Sequence, residues 1–103
     1  MKFTVENAIA AIKPGYAGIR LIERQNFDVR LYAPVGTDAQ KPHARDELYV
    51  IARGTGRFIC QDETEDFCEG DAFFVPGGVE HRFVDFSSDF ATWVIFFGEA
   101  PAA

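Results

Sequence analysis

Two histidines and one glutamate are the residues of this chain whose types could together bind a metal ion. The chain contains two histidines, His43 and His81, and Glu47 follows the first of them four positions later. Two imidazoles and a carboxylate that converge on one point form a facial triad, which leaves open positions on an octahedral ion such as Fe(II). Such a site could bind a divalent metal ion together with water or a small substrate.

Strand geometry is what could bring these distant residues together. Residues of equal parity point to the same side of a β-strand, and in a barrel one of the two sides faces the interior. Lys41, His43 and Glu47 share one parity, and turn residues lie beside both histidines. A strand that enters a barrel after a tight turn can point its first side chain into the mouth. We therefore expect His43, Glu47 and His81 to meet at the mouth of one barrel.

Tyr49 and Lys41 are the candidate catalytic side chains. Tyr49 shares the parity of Glu47, so its phenol could face the cavity and donate a proton; core packing with a satisfied hydroxyl is the commoner role. Lys41 could reach the carboxylate of Glu47, swing outward on its flexible stem, or bind an anionic ligand. Its ammonium group has no lone pair for a metal ion and would repel a divalent cation.

The pattern of apolar residues predicts one short helix followed by β-strands. The spacing of apolar residues from Val5 to Ile12 predicts an amphipathic helix over residues 5–12, with Thr4 as its N-cap. The chain after it alternates short apolar segments with glycine turns, which is typical of a sandwich or closed barrel. The acidic segment 62–66 is expected to be a solvated loop. The predicted strands are residues 18–23, 27–32, 48–52, 57–61, 72–75, 81–86 and 91–97.

Length and charge limit the classes of partner. A chain of 103 residues predicts a single domain, and its 48% hydrophobic residues are enough for a core. The net charge of −6 argues against nucleic acid and anionic membranes as partners. No apolar segment approaches the ~20 residues of a membrane helix, and the N-terminus has no signal-like apolar run. A small-molecule ligand and a cytoplasmic location are expected.

Two segments of the chain resemble the sequence motifs of the cupin superfamily. Residues 41–54 resemble the first motif, H-x-H-x3-E-x6-G, with Lys41 at the position of its first histidine. Residues 70–85 are similar to the second motif, G-x5-P-x-G-x2-H-x3-N, with Asp85 at the position of its final asparagine. The resemblance is to the small single-domain members, and the two motifs with their joining loop cover residues 36–85.

The resemblance implies an all-β fold, an antiparallel cupin-type barrel of the double-stranded β-helix or jelly-roll kind, over residues 18–98. It also implies a divalent metal ion, one of Fe, Zn, Mn or Ni, with His43, Glu47 and His81 as its ligands. Many such proteins are homodimers, and the apolar last strand and the helix offer faces for a second copy. A homodimer is therefore expected.

The substitution of Lys41 for the first histidine leaves three functions open. The chain could be a metalloprotein acting on a small polar molecule, or a metal-free binding module. It could also be a metal-free isomerase or epimerase in which His43 or His81 moves a proton. We expect a metal-binding cupin with a pocket for a small polar molecule. The sequence leaves open whether the protein is an enzyme.

Overall fold

The computed structural model describes residues 1–101, which form one short helix and eight β-strands. All paired strands are antiparallel. The all-β antiparallel fold with a short N-terminal helix is therefore confirmed. The elements are α1 (Val5–Ala10), β1 (Gly18–Arg24), β2 (Phe27–Tyr32), β3 (Glu47–Arg53), β4 (Gly56–Cys60), β5 (Glu63–Phe67), β6 (Ala72–Val75), β7 (His81–Val84) and β8 (Ala91–Phe97).

The strands form two sheets with a shared aromatic core. One sheet has five strands in the order β1-β2-β8-β3-β6, and the other has three in the order β5-β4-β7. The main core cluster takes side chains from both sheets, such as Tyr49 from the first and Phe58 and Phe83 from the second. The ring of Tyr49 packs edge-on against Phe83 at 4.9 Å, and the Phe58 and Phe83 rings lie 4.7 Å apart. These contacts hold the two sheets together.

Helix α1 covers the outer face of the larger sheet. The Thr4 hydroxyl accepts a hydrogen bond from the Asn7 amide at 3.1 Å, as the capping prediction required. The helix ends at Ala10 rather than at residue 12, because the last amides bond three residues back in a tighter turn. Ala8 packs against Leu31 and Ala91 in a second apolar cluster. Within residues 1–101, no helix is long and apolar enough to cross a membrane.

Strand β8 is apolar on both faces because it lies inside the larger sheet. It pairs with β2 on one side and with β3 on the other. Val94 and Phe96 face the main core, whereas Trp93 packs against the cluster under α1. The outer face of β8 is only partly covered within one copy of the chain, since Phe97 is 44% exposed, and the expected homodimer stays a prediction.

The acidic segment 62–66 is mostly strand, and the prediction of a solvated loop there is wrong. β5 pairs with β4 over its whole length, with Cys60 opposite Glu63, and the hairpin turn is Gln61–Asp62. In β5 only Phe67 is buried. Polar side chains lie on both faces of this edge strand, so its sequence does not alternate between apolar and polar residues. Such a sequence is hard to distinguish from that of a solvated loop. Charges on such an edge also discourage pairing with other chains.

Candidate metal centre

His43, Glu47 and His81 converge between the two sheets. Each residue offers one ligand atom, and these atoms all lie within 4.8 Å of one another. Glu47 begins β3 in the larger sheet, and His81 begins β7 in the smaller one. His43 lies in the irregular segment before β3. The structure therefore brings the three predicted ligands together, while their binding of a metal ion stays a prediction.

The ring of His81 is oriented by the backbone of its own turn. Its Nδ1 lies 2.9 Å from the carbonyl oxygen of Val79, which can only accept, so Nδ1 carries a proton. The opposite nitrogen, Nε2, faces the site, 2.8 Å from Glu47 Oε1 and 2.9 Å from the Tyr49 hydroxyl. Burial alone would lower the pKa of His81, but the Glu47 carboxylate and the Val79 carbonyl raise it above its ordinary value.

Glu47 is a buried carboxylate with too few hydrogen-bond donors. The residue is 1% exposed; within residues 1–101 its Oε2 has no hydrogen-bond partner, and its Oε1 lies 2.8 Å from His81 Nε2, which can donate to it only when His81 is protonated on both nitrogens. Burying a carboxylate without such partners costs several kcal/mol. Two neighbouring ligands of one octahedral ion with bonds of about 2.1 Å lie about 3 Å apart, close to the 2.8 Å between Glu47 Oε1 and His81 Nε2. The residues present therefore fit a divalent cation.

His43 is half-buried and is held by the turn that follows β6. The Gly78 amide donates to the His43 carbonyl at 2.6 Å, and a Cβ at Gly77 would overlap the Ala44 carbonyl oxygen. Only glycine therefore allows this close approach of the two segments. Burial is the main cause of the lowered pKa of His43, although the Glu47 carboxylate opposes it. A neutral imidazole is the form that binds metal ions.

Lys41 does not share the inward direction of its neighbours. The residue is exposed and forms no ion pair in the part of the chain that the structure describes. Strand parity does not apply to it because residues 37–43 adopt no regular structure. Of the roles open to Lys41, the outward one is observed, and the contact with Glu47 is absent. A role in binding an anionic ligand stays a prediction.

Gln40 lies at the site in a position that the sequence did not reveal. Its side-chain oxygen, Oε1, accepts a hydrogen bond from the Tyr49 hydroxyl at 3.0 Å and lies 3.2 Å from His43 Nε2. Its amide nitrogen donates to Asp38 Oδ2 at 2.8 Å. Asp38 is 5% exposed and also accepts from the Phe83 amide at 2.9 Å. The only signal in the sequence was the polar pair Asp38 and Gln40, shortly before Lys41 in a segment without periodicity.

Tyr49 packs in the core with its hydroxyl at the site, and its role as a proton donor stays a prediction. The residue is 1% exposed, and its ring packs among the phenylalanines of the main core. Its hydroxyl nevertheless reaches both Gln40 Oε1 and His81 Nε2. Burial, followed by the nearby Glu47 carboxylate, raises the pKa of Tyr49 far above its ordinary value. Tyr49 is therefore a neutral hydrogen-bond donor beside the predicted ligands.

A cavity of about 440 Å³ lies beside the site and has arginine side chains in its lining. His43, Glu47 and Arg30 are among the residues that line it. Asp28, which is buried, contacts Arg30 Nε at 3.2 Å and Arg45 Nη1 at 3.1 Å. Burial alone would raise the pKa of Asp28, but the two guanidinium groups lower it below its ordinary value. Two guanidinium groups thus share the Asp28 carboxylate, and this contact holds Arg30 at the cavity.

Comparisons with known proteins identify the family of the chain and solved structures that share its fold. The family model described as "Cupin domain" matches residues 29–97. An uncharacterised protein of Streptomyces coelicolor is 38% identical over 82 residues, which cover 78% of each chain. Among solved structures, a cupin-2 domain protein from Shewanella frigidimarina has a TM-score of 0.70 at 18% identity, covering 90% of this chain and 91% of its own. A DMSP lyase from Ruegeria pomeroyi has a TM-score of 0.74 at 19% identity, covering 99% of this chain and 57% of its own.

Proposed function

Since this chain belongs to the cupin domain family, we propose that it binds a divalent metal ion through His43, Glu47 and His81. The observation that carries the proposal is the Glu47 carboxylate, which is 1% exposed: its Oε2 has no hydrogen-bond partner among the described residues, and its Oε1 faces His81 Nε2 at 2.8 Å. A cation between the carboxylate and the two imidazoles would satisfy all three groups. Fe, Zn, Mn and Ni all accept such a mixture of nitrogen and oxygen ligands.

The residues around the ligands would prepare the site for chemistry on a small molecule. A bound ion would supply a Lewis acid that polarises an oxygen of the substrate or of a bound water. The Val79 carbonyl keeps the proton on His81 Nδ1, so that Nε2 stays free to face the ion. The Tyr49 hydroxyl oxygen lies 2.9 Å from that nitrogen, and the hydroxyl could donate its proton to a substrate oxygen.

The pocket beside the site fits a small polar ligand with negative charge. Arg20 and Arg30 line it, and a bound divalent cation would offset the Glu47 carboxylate, which lines it as well. A guanidinium group binds a carboxylate or phosphate through paired hydrogen bonds. We therefore place a small anionic molecule in the pocket.

A metal-free acid–base site is the second candidate, and one contact favours it. His81 Nε2 lies 2.8 Å from Glu47 Oε1, and the pKa of His81 is raised by that carboxylate after the opposing effect of burial. A protonated His81 paired with Glu47 could therefore transfer a proton without any metal ion. The two candidates differ in what Glu47 needs: a metal ion in the first and a proton on His81 in the second.

Calorimetric titration with Zn(II), Mn(II), Ni(II) and Fe(II) separates these candidates. The parent protein should bind about one equivalent of at least one of these metals. Glu47→Gln should abolish that binding because it removes one of the three ligands, whereas Glu80→Gln, at an exposed position beside His81, should not. Circular dichroism should show that both variants stay folded. Equal metal binding by the parent and Glu47→Gln would contradict the proposed ligand set.

A further inference from the structure

We propose that Gln40 supplies a fourth metal ligand through its side-chain oxygen, Oε1. Lys41 points outward, and Gln40, one residue earlier, has its side chain at the site. This inference rests on the proposed function, since it concerns the same ion. It adds a neutral oxygen ligand to the two imidazoles and one carboxylate.

The orientation of the Gln40 amide is fixed by its hydrogen bonds. The amide nitrogen lies 2.8 Å from Asp38 Oδ2, and a carboxylate oxygen can only accept a hydrogen bond from it. The carbonyl oxygen must therefore point the other way, toward His43 and Tyr49. Asp38 is itself held in place, because it accepts from the backbone amides of Phe83 at 2.9 Å and of Gln40 at 3.2 Å.

The position of Oε1 fits the place of a neighbouring ligand. It lies 3.2 Å from His43 Nε2, and adjacent ligands of an ion with bonds of about 2.1 Å are separated by about 3 Å. The Glu47 Oε1–His81 Nε2 pair is spaced in the same way, at 2.8 Å. A carbonyl oxygen has two lone pairs, so Oε1 can accept the hydrogen bond from Tyr49 and still bind an ion.

The identity of the fourth ligand affects which metals bind. An amide oxygen is harder than an imidazole nitrogen, and carboxylate and carbonyl oxygens suit Mn(II). A site with two nitrogens and two oxygens should therefore accept Mn(II) better than a site in which a third histidine stands in place of Gln40. Mn(II) is for this reason the probe for the experiment.

A crystal structure of the parent protein with Mn(II) tests the proposal directly, with the ion located by anomalous scattering. We expect Gln40 Oε1 within bonding distance, about 2.2 Å from the ion. The alternative is that Gln40 only orients His43, which would then bind the ion through Nδ1. An ion bound by His43, Glu47 and His81, with Gln40 Oε1 more than about 3 Å away, would overturn the inference and leave the proposed function intact.

Titration of variants with Mn(II) gives the matching result in solution. Gln40→Met keeps the length of the side chain and removes the oxygen, so its affinity should fall roughly tenfold or more. Gln25→Met makes the same change at an exposed position and should leave the affinity unchanged. Parent-like affinity of Gln40→Met would contradict the inference, and a parent that binds no metal would overturn the proposed function as well.

Discussion

Strands β3 and β7 hold Glu47, Tyr49 and His81 through the register of the sheets, whereas residues 37–46 hold Gln40 and His43 without regular structure. In the strands, backbone pairing fixes each Cβ, and the aromatic core packs behind it. In the irregular segment, the positions depend on the Asp38 carboxylate and on the turn at Gly77–Gly78. We call Glu47, Tyr49 and His81 the strand half of the site, and Gln40 and His43 its segment half. The strand half should keep its geometry when a polar contact is lost, whereas the segment half should not.

Asp38→Ala should break the segment half and produce the largest effect. The buried carboxylate accepts hydrogen bonds from the Tyr32 hydroxyl and from amide groups of Gln40 and Phe83. Its removal leaves these donors without a partner, so the free energy of unfolding should fall by about 3–5 kcal/mol in urea denaturation. Asp62→Ala, at an exposed hairpin turn, is the control and should change it by less than about 0.5 kcal/mol. A loss below about 1 kcal/mol for Asp38→Ala would show that the segment has other supports.

A bound metal ion should link the strand half and the segment half of the site, because it takes ligands from both, and should thereby stabilise the fold. When the free concentration of the ion is 100 times its dissociation constant, and the ion binds only the folded state, the free energy of unfolding rises by about 2.7 kcal/mol. We expect this gain for the parent and none for Glu47→Gln, measured by urea denaturation with and without metal. An equal gain in both proteins would place the ion elsewhere.

The pH dependence of stability tests the link between β2 and the segment. Asp28 on β2 binds Arg45 of the segment, and Arg30 and Arg45 lower its pKa against the effect of burial. Because its folded pKa lies below the unfolded value, Asp28 stabilises the fold above the unfolded pKa and loses this contribution as the pH falls through the folded pKa. The parent should therefore lose stability more steeply below about pH 4 than Asp28→Asn does. Parallel curves for the two proteins would contradict this role of Asp28.

Lys41 should give the smallest effect, although it stands at the position of a family ligand. Its side chain is exposed and lacks an ion pair among residues 1–101, so Lys41→Met should change the free energy of unfolding by less than about 0.5 kcal/mol. Lys41→His should alter metal affinity by no more than about twofold, since the new imidazole would also point outward. A clear gain in affinity for Lys41→His would show that this position can turn inward.

The residues of the strand half could be predicted from the sequence, whereas those of the segment half could be predicted only in part. The parity of Glu47 and Tyr49 along one strand, and the glycine turn before His81, were sufficient because strands repeat every two residues. The same rule could not choose among the roles of Lys41, which lies outside any strand. Gln40 could not be found in this way, because its place is set by hydrogen bonds to Asp38 that follow no period.

The acidic edge strand β5 shows a second limit of prediction from hydrophobic periodicity. β5 has four exposed residues and one buried residue, so the hydrophobic pattern of an ordinary strand is absent from it. Its pairing with β4 depends on backbone hydrogen bonds and on the two-residue turn at Gln61–Asp62. Backbone pairing is independent of side-chain polarity, and the sequence therefore carried little trace of this strand.

Metal analysis of protein purified without chelators tests the central claim most directly. Mass spectrometry of the metal content should find about one divalent ion per chain in the parent and almost none in His81→Ala, which keeps the sheets but loses one of the ligands. Arg82→Ala, at the neighbouring exposed position, should retain the parent's metal content. A parent that remains free of metal even after incubation with Fe(II), Zn(II), Mn(II) and Ni(II) would contradict the claim and favour the metal-free acid–base site.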